Sequence, residues 1–169
     1  MINNCNPINQ LKLFGYNNEF NELKKCYENN TFPNRILLYG KRGIGKNTFA
    51  YHLINYVLSK DENETYNYLE KEIQKKNRSY DLLLKNIHPN CYIVDLKENK
   101  QTIEISQIRN MLSFVNKSSF NNKIRFVLIN NAENLNLNSA NSLLKVLEDK
   151  NENLSFILIH DSKKKILET

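Results

Sequence analysis

The sequence predicts an α/β fold in which a parallel β-sheet carries helices on both faces. Two observations predict it. Four short apolar runs alternate with segments of helical periodicity, and runs that are apolar throughout are typical of parallel strands joined by crossover helices. A glycine-rich loop follows the first run and opens a helix. The 169 residues are enough for about one domain, so we expect a single domain over 1–169.

The first half of the chain contains two predicted helices and one strand. Apolar residues at helical spacing predict a helix over roughly 17–29. The run RILLYG, 35–40, predicts a short buried strand, and apolar residues recurring every four positions predict a helix over 46–58. Residues 59–87 are charged and weakly periodic, which predicts a helix or two joined by loops.

The second half continues the alternation of strands and helices. Pro89 blocks a helix, so HPNCYIVDL predicts a turn and a second strand. Further along, IRFVLIN and LSFILIH predict the third and fourth strands, and EISQIRNMLSFVNKS and NSANSLLKVLED predict the helices that precede them. On the last helix, Leu143, Leu144 and Leu147 are expected to lie in the core.

Composition and cysteine spacing exclude several classes of protein. Cys5, Cys26 and Cys91 are widely spaced and form no CxxC pair, which argues against a disulfide framework and a four-ligand zinc site and suits a reducing cytoplasm. No apolar run approaches the roughly eighteen residues of a membrane span, and no signal peptide is visible. The net charge of +6 permits DNA as a partner without demanding it.

The segment GKRGIGK, residues 40–46, fits the phosphate-loop pattern GxxxxGK between a strand and a helix. In such a loop the glycines let backbone N–H groups turn towards phosphate oxygens, the lysine reaches the β- and γ-phosphates, and the helix N-terminus faces the anion. The pattern therefore predicts a nucleotide-binding backbone. Its candidate residues are Gly40, Gly43, Ile44, Gly45, Lys46, Asn47 and Thr48.

The metal-binding position of this loop is altered. A working loop places Ser or Thr after the lysine to hold Mg²⁺, but Asn47 stands there and Thr48 comes one residue later. One step along a helix turns a side chain by about 100°, so Thr48 is not expected to replace the missing hydroxyl. The amide of Asn47 is a poorer ligand, and the sequence leaves open whether ATP and Mg²⁺ bind at all.

The second nucleotide motif has lost its acids. A hydrolysing enzyme needs two carboxylates after a later apolar strand, one to hold Mg²⁺ and one to activate water. In this chain the strand IRFVLIN ends in Asn130 and is followed by Asn131, so amides stand at both positions. Glu133 lies two residues further on, past the predicted strand end. Amides cannot accept a proton from water, so we predict no catalytic residue and no ATP hydrolysis by this chain alone.

These motifs together resemble those of the delta-prime family of bacterial DNA polymerase III clamp-loader subunits, within the AAA+ superfamily. The likeness runs along essentially the whole chain. It includes GIGK followed by a residue other than Ser or Thr, the His-Pro turn of HPNCYIVD, the QIR helix and, most specifically, LINNAENLNLNSANSLLKVLED. The resemblance implies a P-loop fold of AAA+ type over 1–169.

Three departures from the family pattern stand out. The cysteines that form a zinc module in many clamp-loader subunits are absent from 59–90, so no zinc is expected. Lys150-Asn151 replaces a proline pair. The chain ends at Thr169, just before the position of a Ser-Arg-Cys motif, and we expect that motif and the lid and collar domains to follow.

The resemblance implies a role in DNA replication without a reaction of its own. Subunits of this kind are the stator of the clamp loader, pair with the gamma/tau and delta subunits, and through the complex serve the sliding clamp and primed DNA. The sequence leaves two alternative functions open. One is an ATP-hydrolysing subunit similar to gamma/tau, and the other is a switch that binds nucleotide without turning it over.

The remaining candidates are surface and strand-end residues. Arg109 in the QIR helix, and Asn141 with Lys145 on one face of the next predicted helix, are candidates for a subunit interface or DNA contact. His160 ends the fourth strand, where active AAA+ proteins carry a polar sensor, but a polar residue leaving the sheet explains it more simply. The lysine run 163–165 is typical of a solvated face. The other histidines, His52 and His88, are interpreted as structural.

Overall fold

The computed structural model describes residues 6–117, 123–149 and 153–164. Within them lie five α-helices and four β-strands, in the order that the sequence predicts. The helices are α1 (Asn17–Glu28), α2 (Lys46–Leu58), α3 (Arg78–Leu84), α4 (Ile105–Val115) and α5 (Leu137–Glu148), and the strands are β1 (Arg35–Gly40), β2 (Cys91–Val94), β3 (Arg125–Ile129) and β4 (Leu154–Asp161). Among the described residues no helix is both long and apolar enough to cross a membrane.

The four strands form one parallel sheet in the order β1-β4-β3-β2. Its register pairs Leu37 with Leu158 and Val94 with Ile129. Every residue of β3 is buried, as expected of a central parallel strand. The predicted α/β class with a parallel sheet is therefore confirmed.

The prediction that β1 is buried is wrong. The strand alternates between exposed and half-buried residues, and the side chains of Leu37 and Tyr39 are 55% and 57% exposed. The reason is topological: β1 lies at the end of the sheet, where β4 is its neighbour on one side only. An apolar run predicts a strand, but its burial depends on the order of the strands.

The described residues divide into two compact units. One unit comprises Asn34–Ile44 and the described residues from Pro89 onward, and it contains the sheet, α4 and α5. Its core joins one face of the sheet to these two helices. The buried members are Val94, Ile103, Ile108, Met111, Val115, Val127, Ile129, Leu135, Leu143, Leu154 and Phe156.

The other unit comprises Gly45–His88 and the described residues up to Pro33. Its core contains a cluster of aromatic rings. Phe20 of α1 is fully buried, and its ring centroid lies 5.6 Å from that of Tyr66 in a stacked arrangement and 6.1 Å from that of Phe49 in an edge contact. Such ring pairs contribute about 0.5–1.5 kcal/mol each beyond their buried area.

The stretch 59–87 contains one helix, α3, which agrees with the prediction of a helix or two joined by loops. Its loops are held by buried polar side chains instead of periodic apolar ones. Asn77 is the N-cap of α3, where its Oδ1 accepts from Tyr80 N at 2.7 Å and from Asn55 Nδ2 at 2.9 Å, and its Nδ2 donates to the Glu64 carbonyl at 2.6 Å. A network of this kind leaves no periodic signal in the sequence.

Candidate functional site

The glycine loop leaves β1 at Gly40 and runs to the start of α2. Two of its glycines adopt backbone angles that other residues rarely reach, with φ of +88° at Gly43 and +93° at Gly45. A β-carbon at Gly43 would meet no atom within 4 Å. The backbone conformation therefore favours glycine at these two positions.

Gly45 is the N-cap of α2, where its carbonyl accepts from Phe49 N at 2.9 Å. Lys46 is the first residue of the helix and is only 7% exposed. Asn47 and Thr48 follow it in the first turn and are both half-buried. The first turn thus carries a lysine and an amide, with a hydroxyl one position further round the helix.

Tyr16 lies beside this first turn, which the sequence analysis missed. Its ring centroid is 4.9 Å from that of Phe49, and a β-carbon built at Gly45 would lie 3.6 Å from Tyr16 Cε2. Tyr16 itself has φ of +55° and is the N-cap of α1. A left-handed tyrosine next to Gly15 leaves no local pattern that would place it against α2.

The end of β3 carries both asparagines of the second motif, and both bind one carboxylate. Asn130 Nδ2 donates to Asp95 Oδ2 at 2.9 Å, and Asn131 Nδ2 donates to Asp95 Oδ1 at 2.8 Å. Asn130 is 1% exposed, while Asn131 has φ of +52°, a left-handed conformation that asparagine tolerates better than most residues. Both amides are therefore engaged as donors.

Asp95 is a site residue that the sequence analysis did not identify. It follows β2 directly, and the pairing of Val94 with Ile129 in the register brings it next to Asn130. The backbone supports this pairing, since Asn130 N donates to the Val94 carbonyl at 2.9 Å. One feature of the sequence could have indicated this contact. Asp95 and Asn130 each follow an apolar strand, and the carboxyl ends of parallel strands meet at one edge of a sheet.

Glu133 makes its contacts at the end of β4. Its side chain is 4% exposed, its Oε2 accepts from Asp161 N at 3.2 Å, and its Oε1 lies 3.8 Å from Lys164 Nζ. This acid therefore binds the end of β4. The sequence-based expectation that Glu133 lies past the strand end agrees with its place in a short 3₁₀ turn, Ala132–Asn134.

His160 lies near the end of β4 and is 3% exposed. Its ring stacks on that of Tyr39 with a centroid distance of 5.6 Å, and neither ring nitrogen has a hydrogen-bond partner in the part of the chain that the structure describes. It borders an open, largely apolar cavity of about 200 Å³, which Leu37 and Leu144 also line. Leu144 is 38% exposed, so its predicted place in the core is wrong, because it faces this cavity.

The surface candidates are exposed, as their predicted contacts require. Arg109 on α4 and both Asn141 and Lys145 on α5 are exposed. Lys163 is exposed as well, and Lys164 Nζ donates to Asn134 Oδ1 at 2.8 Å. Two features named above, Lys165 and the Lys150-Asn151 pair, lie outside the described residues.

The described residues contain no group of three or more His, Cys, Asp or Glu side chains that could hold a metal ion. Cys26 and Cys91 are free thiols, and burial raises the pKa of the Cys91 thiol to about 12. His88 Nε2 lies 3.1 Å from Ser79 Oγ, which donates to a Glu62 carboxylate oxygen. This contact agrees with the structural interpretation of His88.

Known proteins are similar to this chain over most of its length. A family model described as DNA polymerase III, delta subunit, matches residues 15–169. The DNA polymerase III subunit delta′ of Pseudomonas aeruginosa is 29% identical over 133 residues, which is 79% of this chain and 39% of that protein. The subunit of the same name from Buchnera aphidicola subsp. Baizongia pistaciae is 26% identical over 139 residues, or 79% and 40% of the two chains.

A solved structure supports the same fold. A DNA polymerase III, gamma subunit-related protein from Thermotoga maritima matches with a TM-score of 0.57 at 20% identity, covering 85% of this chain and 40% of that one. This likeness agrees with the predicted α/β fold. The chain spans about two fifths of the length of the relatives that it matches.

Proposed function

The chain belongs to the DNA polymerase III, delta subunit family, and we propose on that premise that residues 1–169 form the base domain of a clamp-loader subunit that does not hydrolyse ATP. The subunit acts in DNA replication. It serves as a stator, a fixed arm of the loader against which subunits that hydrolyse ATP work. Its partners are the gamma/tau and delta subunits, and through them the sliding clamp and primed DNA.

One observation carries the proposal. The two positions that need carboxylates for hydrolysis hold Asn130 and Asn131, and both amides donate to Asp95. The carboxylate that lies nearby in sequence, Glu133, is engaged with Asp161 N and Lys164. Hydrolysis needs one carboxylate on Mg²⁺ and one on water, and the local contacts support neither role.

The loop at the start of α2 supports the same proposal. An amide replaces the hydroxyl that would hold Mg²⁺, since Asn47 follows Lys46. A subunit that serves as a stator needs the shape of the fold but no turnover of its own. The exposed side chains of Arg109, Asn141 and Lys145 are available for contacts with neighbouring subunits or with DNA phosphates.

The decisive experiment compares the full-length protein with its Lys46→Ala variant. We expect neither protein to hydrolyse ATP above background with Mg²⁺ present. In a loader reconstituted with gamma/tau and delta subunits, both should support loading of the clamp onto primed DNA equally. Hydrolysis by the isolated protein that Lys46→Ala abolishes would show that it is an ATPase subunit instead.

A second candidate function is nucleotide binding without turnover. The glycines with positive φ, Gly43 and Gly45, and the lysine at the start of α2 favour it, because these features bind phosphates. ATP bound in this way would act as a ligand that stabilises the domain. Equilibrium binding of a non-hydrolysable ATP analogue, weakened at least tenfold in Lys46→Ala, would support this candidate over a stator that binds no nucleotide.

A further inference from the structure

The contacts at the carboxyl end of β2 and β3 raise the question of what the two asparagines do. Asp95 accepts three hydrogen bonds on its two carboxylate oxygens. Oδ1 accepts from Asn131 Nδ2 at 2.8 Å and from Leu96 N at 2.7 Å, and Oδ2 accepts from Asn130 Nδ2 at 2.9 Å. Every donor lies within ordinary hydrogen-bond distance, and the two amides come from a different strand than the carboxylate.

The Asn130 amide is oriented by Asp95 alone among the described side chains. Asn130 is 1% exposed, and its Oδ1 has no hydrogen-bond partner in the described part of the chain. Only the Nδ2 end is bonded, and its acceptor is Asp95. A hydrogen bond to a charged acceptor is stronger than one between neutral groups, so this contact favours the observed orientation of the amide.

An acid at position 130 would meet a carboxylate that is already there. Asparagine and aspartate have nearly the same shape, so in Asn130→Asp a carboxylate oxygen would take the place of Nδ2, which lies 2.9 Å from Asp95 Oδ2. Two carboxylates at about 3 Å separation cannot both be ionised. The same argument applies to Asn131, whose Nδ2 is equally close to the other oxygen of Asp95.

We propose that Asp95, Asn130 and Asn131 are a matched set, which we call the Asp95 clamp, in which the amides are required donors that join the end of β2 to the end of β3. The asparagines are therefore a working structural feature rather than neutral remnants of an acidic motif. Asp95 is the positioning residue of the set, and an acid at 130 or 131 weakens this edge unless position 95 is made neutral.

Amide hydrogen exchange in the full-length protein tests the clamp. The reporters are the backbone N–H groups of Leu96, which bonds to Asp95 Oδ1, and of Asn130, which bonds to the Val94 carbonyl. We expect Asn130→Asp to speed their exchange by about tenfold to a hundredfold, as the loss of a hydrogen bond to a charged group implies. The double variant Asn130→Asp with Asp95→Asn swaps the positions of the amide and the carboxylate. Its hydrogen-exchange rates at the two reporters should return to within about threefold of the wild type.

A matched control is Asn110→Asp, which adds the same charge at an exposed position in the middle of α4. This variant should leave the two reporters unchanged. The pair Asn131→Asp and Asn131→Asp with Asp95→Asn tests the other amide with Asn130 N–H as its only reporter, because an amide nitrogen in place of Asp95 Oδ1 cannot accept from Leu96 N. If a single variant does not fold, recovery of folding in its double variant is the expected result.

Two results would overturn the clamp: a single acid that leaves both reporters protected, or a double variant that is no better protected than the single. Neither readout involves nucleotide or other subunits. Failure of the clamp therefore leaves the proposed non-hydrolysing role untouched, and ATP hydrolysis by the wild type would leave the clamp untouched.

Discussion

His52 Nε2 lies 2.9 Å from the carbonyl oxygen of Gln10, and His52 Nδ1 lies 2.9 Å from the Tyr66 hydroxyl. A carbonyl oxygen only accepts, so Nε2 carries the proton and the Tyr66 hydroxyl donates to Nδ1. The ring is 0% exposed. One neutral histidine on α2 thereby joins the segment before α1 to the loop that follows α2.

This geometry predicts a loss of stability in acid. Burial lowers the pKa of His52 from 6.5 to about 4, outweighing the opposite effect of the bond to Gln10. The folded state therefore binds a proton at His52 less readily than the unfolded state. The contribution of neutral His52 to the free energy of unfolding is complete above pH 6.5 and is lost as the pH falls towards 4. The expected loss of unfolding free energy is on the order of 3 kcal/mol, measurable by urea titrations across that range.

The matched variant is His52→Gln, which keeps a side-chain donor and removes the titration. It should be less stable than the wild type at neutral pH but should lose less stability on acidification. The two remaining histidines of the chain, His88 and His160, are common to both proteins and cancel in the comparison. If the free energy of unfolding falls equally in both proteins as the pH is lowered, the effect does not come from His52.

Asn77→Ala should destabilise the loops around α3. The change removes the N-cap of α3 and leaves the Asn55 amide and the Glu64 carbonyl without their partner. A lost cap and an unsatisfied buried group together cost about 2–4 kcal/mol, which denaturant unfolding would detect. The exposed Asn63→Ala is the control and should be near neutral, and an equally small effect of both changes would argue against the network.

Arg125→Lys should destabilise the protein although the charge is kept. Arg125 Nη1 donates to the carbonyls of Phe114 and Lys117 at 3.0 and 2.6 Å, and Nη2 donates to the Val115 carbonyl at 3.3 Å. A lysine cannot reproduce this fork, so we expect a loss of about 1–2 kcal/mol of unfolding free energy. Arg78→Lys at an exposed site is the control, and similar unfolding midpoints for both variants would refute the prediction.

Asn47→Thr should not create an ATPase. The change restores the hydroxyl that a phosphate loop uses for Mg²⁺, but Asn130 and Asn131 remain bonded to Asp95. We therefore expect phosphate release from ATP to stay at background in the full-length variant. Release that depends on Mg²⁺ and disappears in the Asn47→Thr, Lys46→Ala double variant would mean that the first motif alone limits hydrolysis.

The sequence predicts the strands and the longer helices well because their signals are local. The apolar run of β3 and the four-residue spacing in α2 are visible without knowledge of any partner segment, and so is the glycine pattern of the loop. The boundaries of α2, Lys46–Leu58, agree with the prediction. The weakly periodic stretch 59–87 is harder, because buried amides such as that of Asn77 hold it.

The contacts that define the site depend on strand order and register, which are not local. Asp95 meets Asn130 because Val94 is paired with Ile129 across two strands separated by α4. The exposure of Leu37 follows from the position of β1 at the end of the sheet. The sequence therefore identified both asparagines as altered, but it could not show that a third residue binds them.

Gln107 fixes the rotational phase of α4. Its Oε1 accepts from Glu104 N at 3.1 Å within the capping box of the helix, and its Nε2 donates to the Asp95 carbonyl at 2.7 Å. The helix cannot turn about its axis or slide past β2 without breaking the second bond. Arg109 lies two residues after Gln107, about 200° round the helix. The bond between Gln107 and the end of β2 therefore also sets the direction in which the Arg109 side chain points outward.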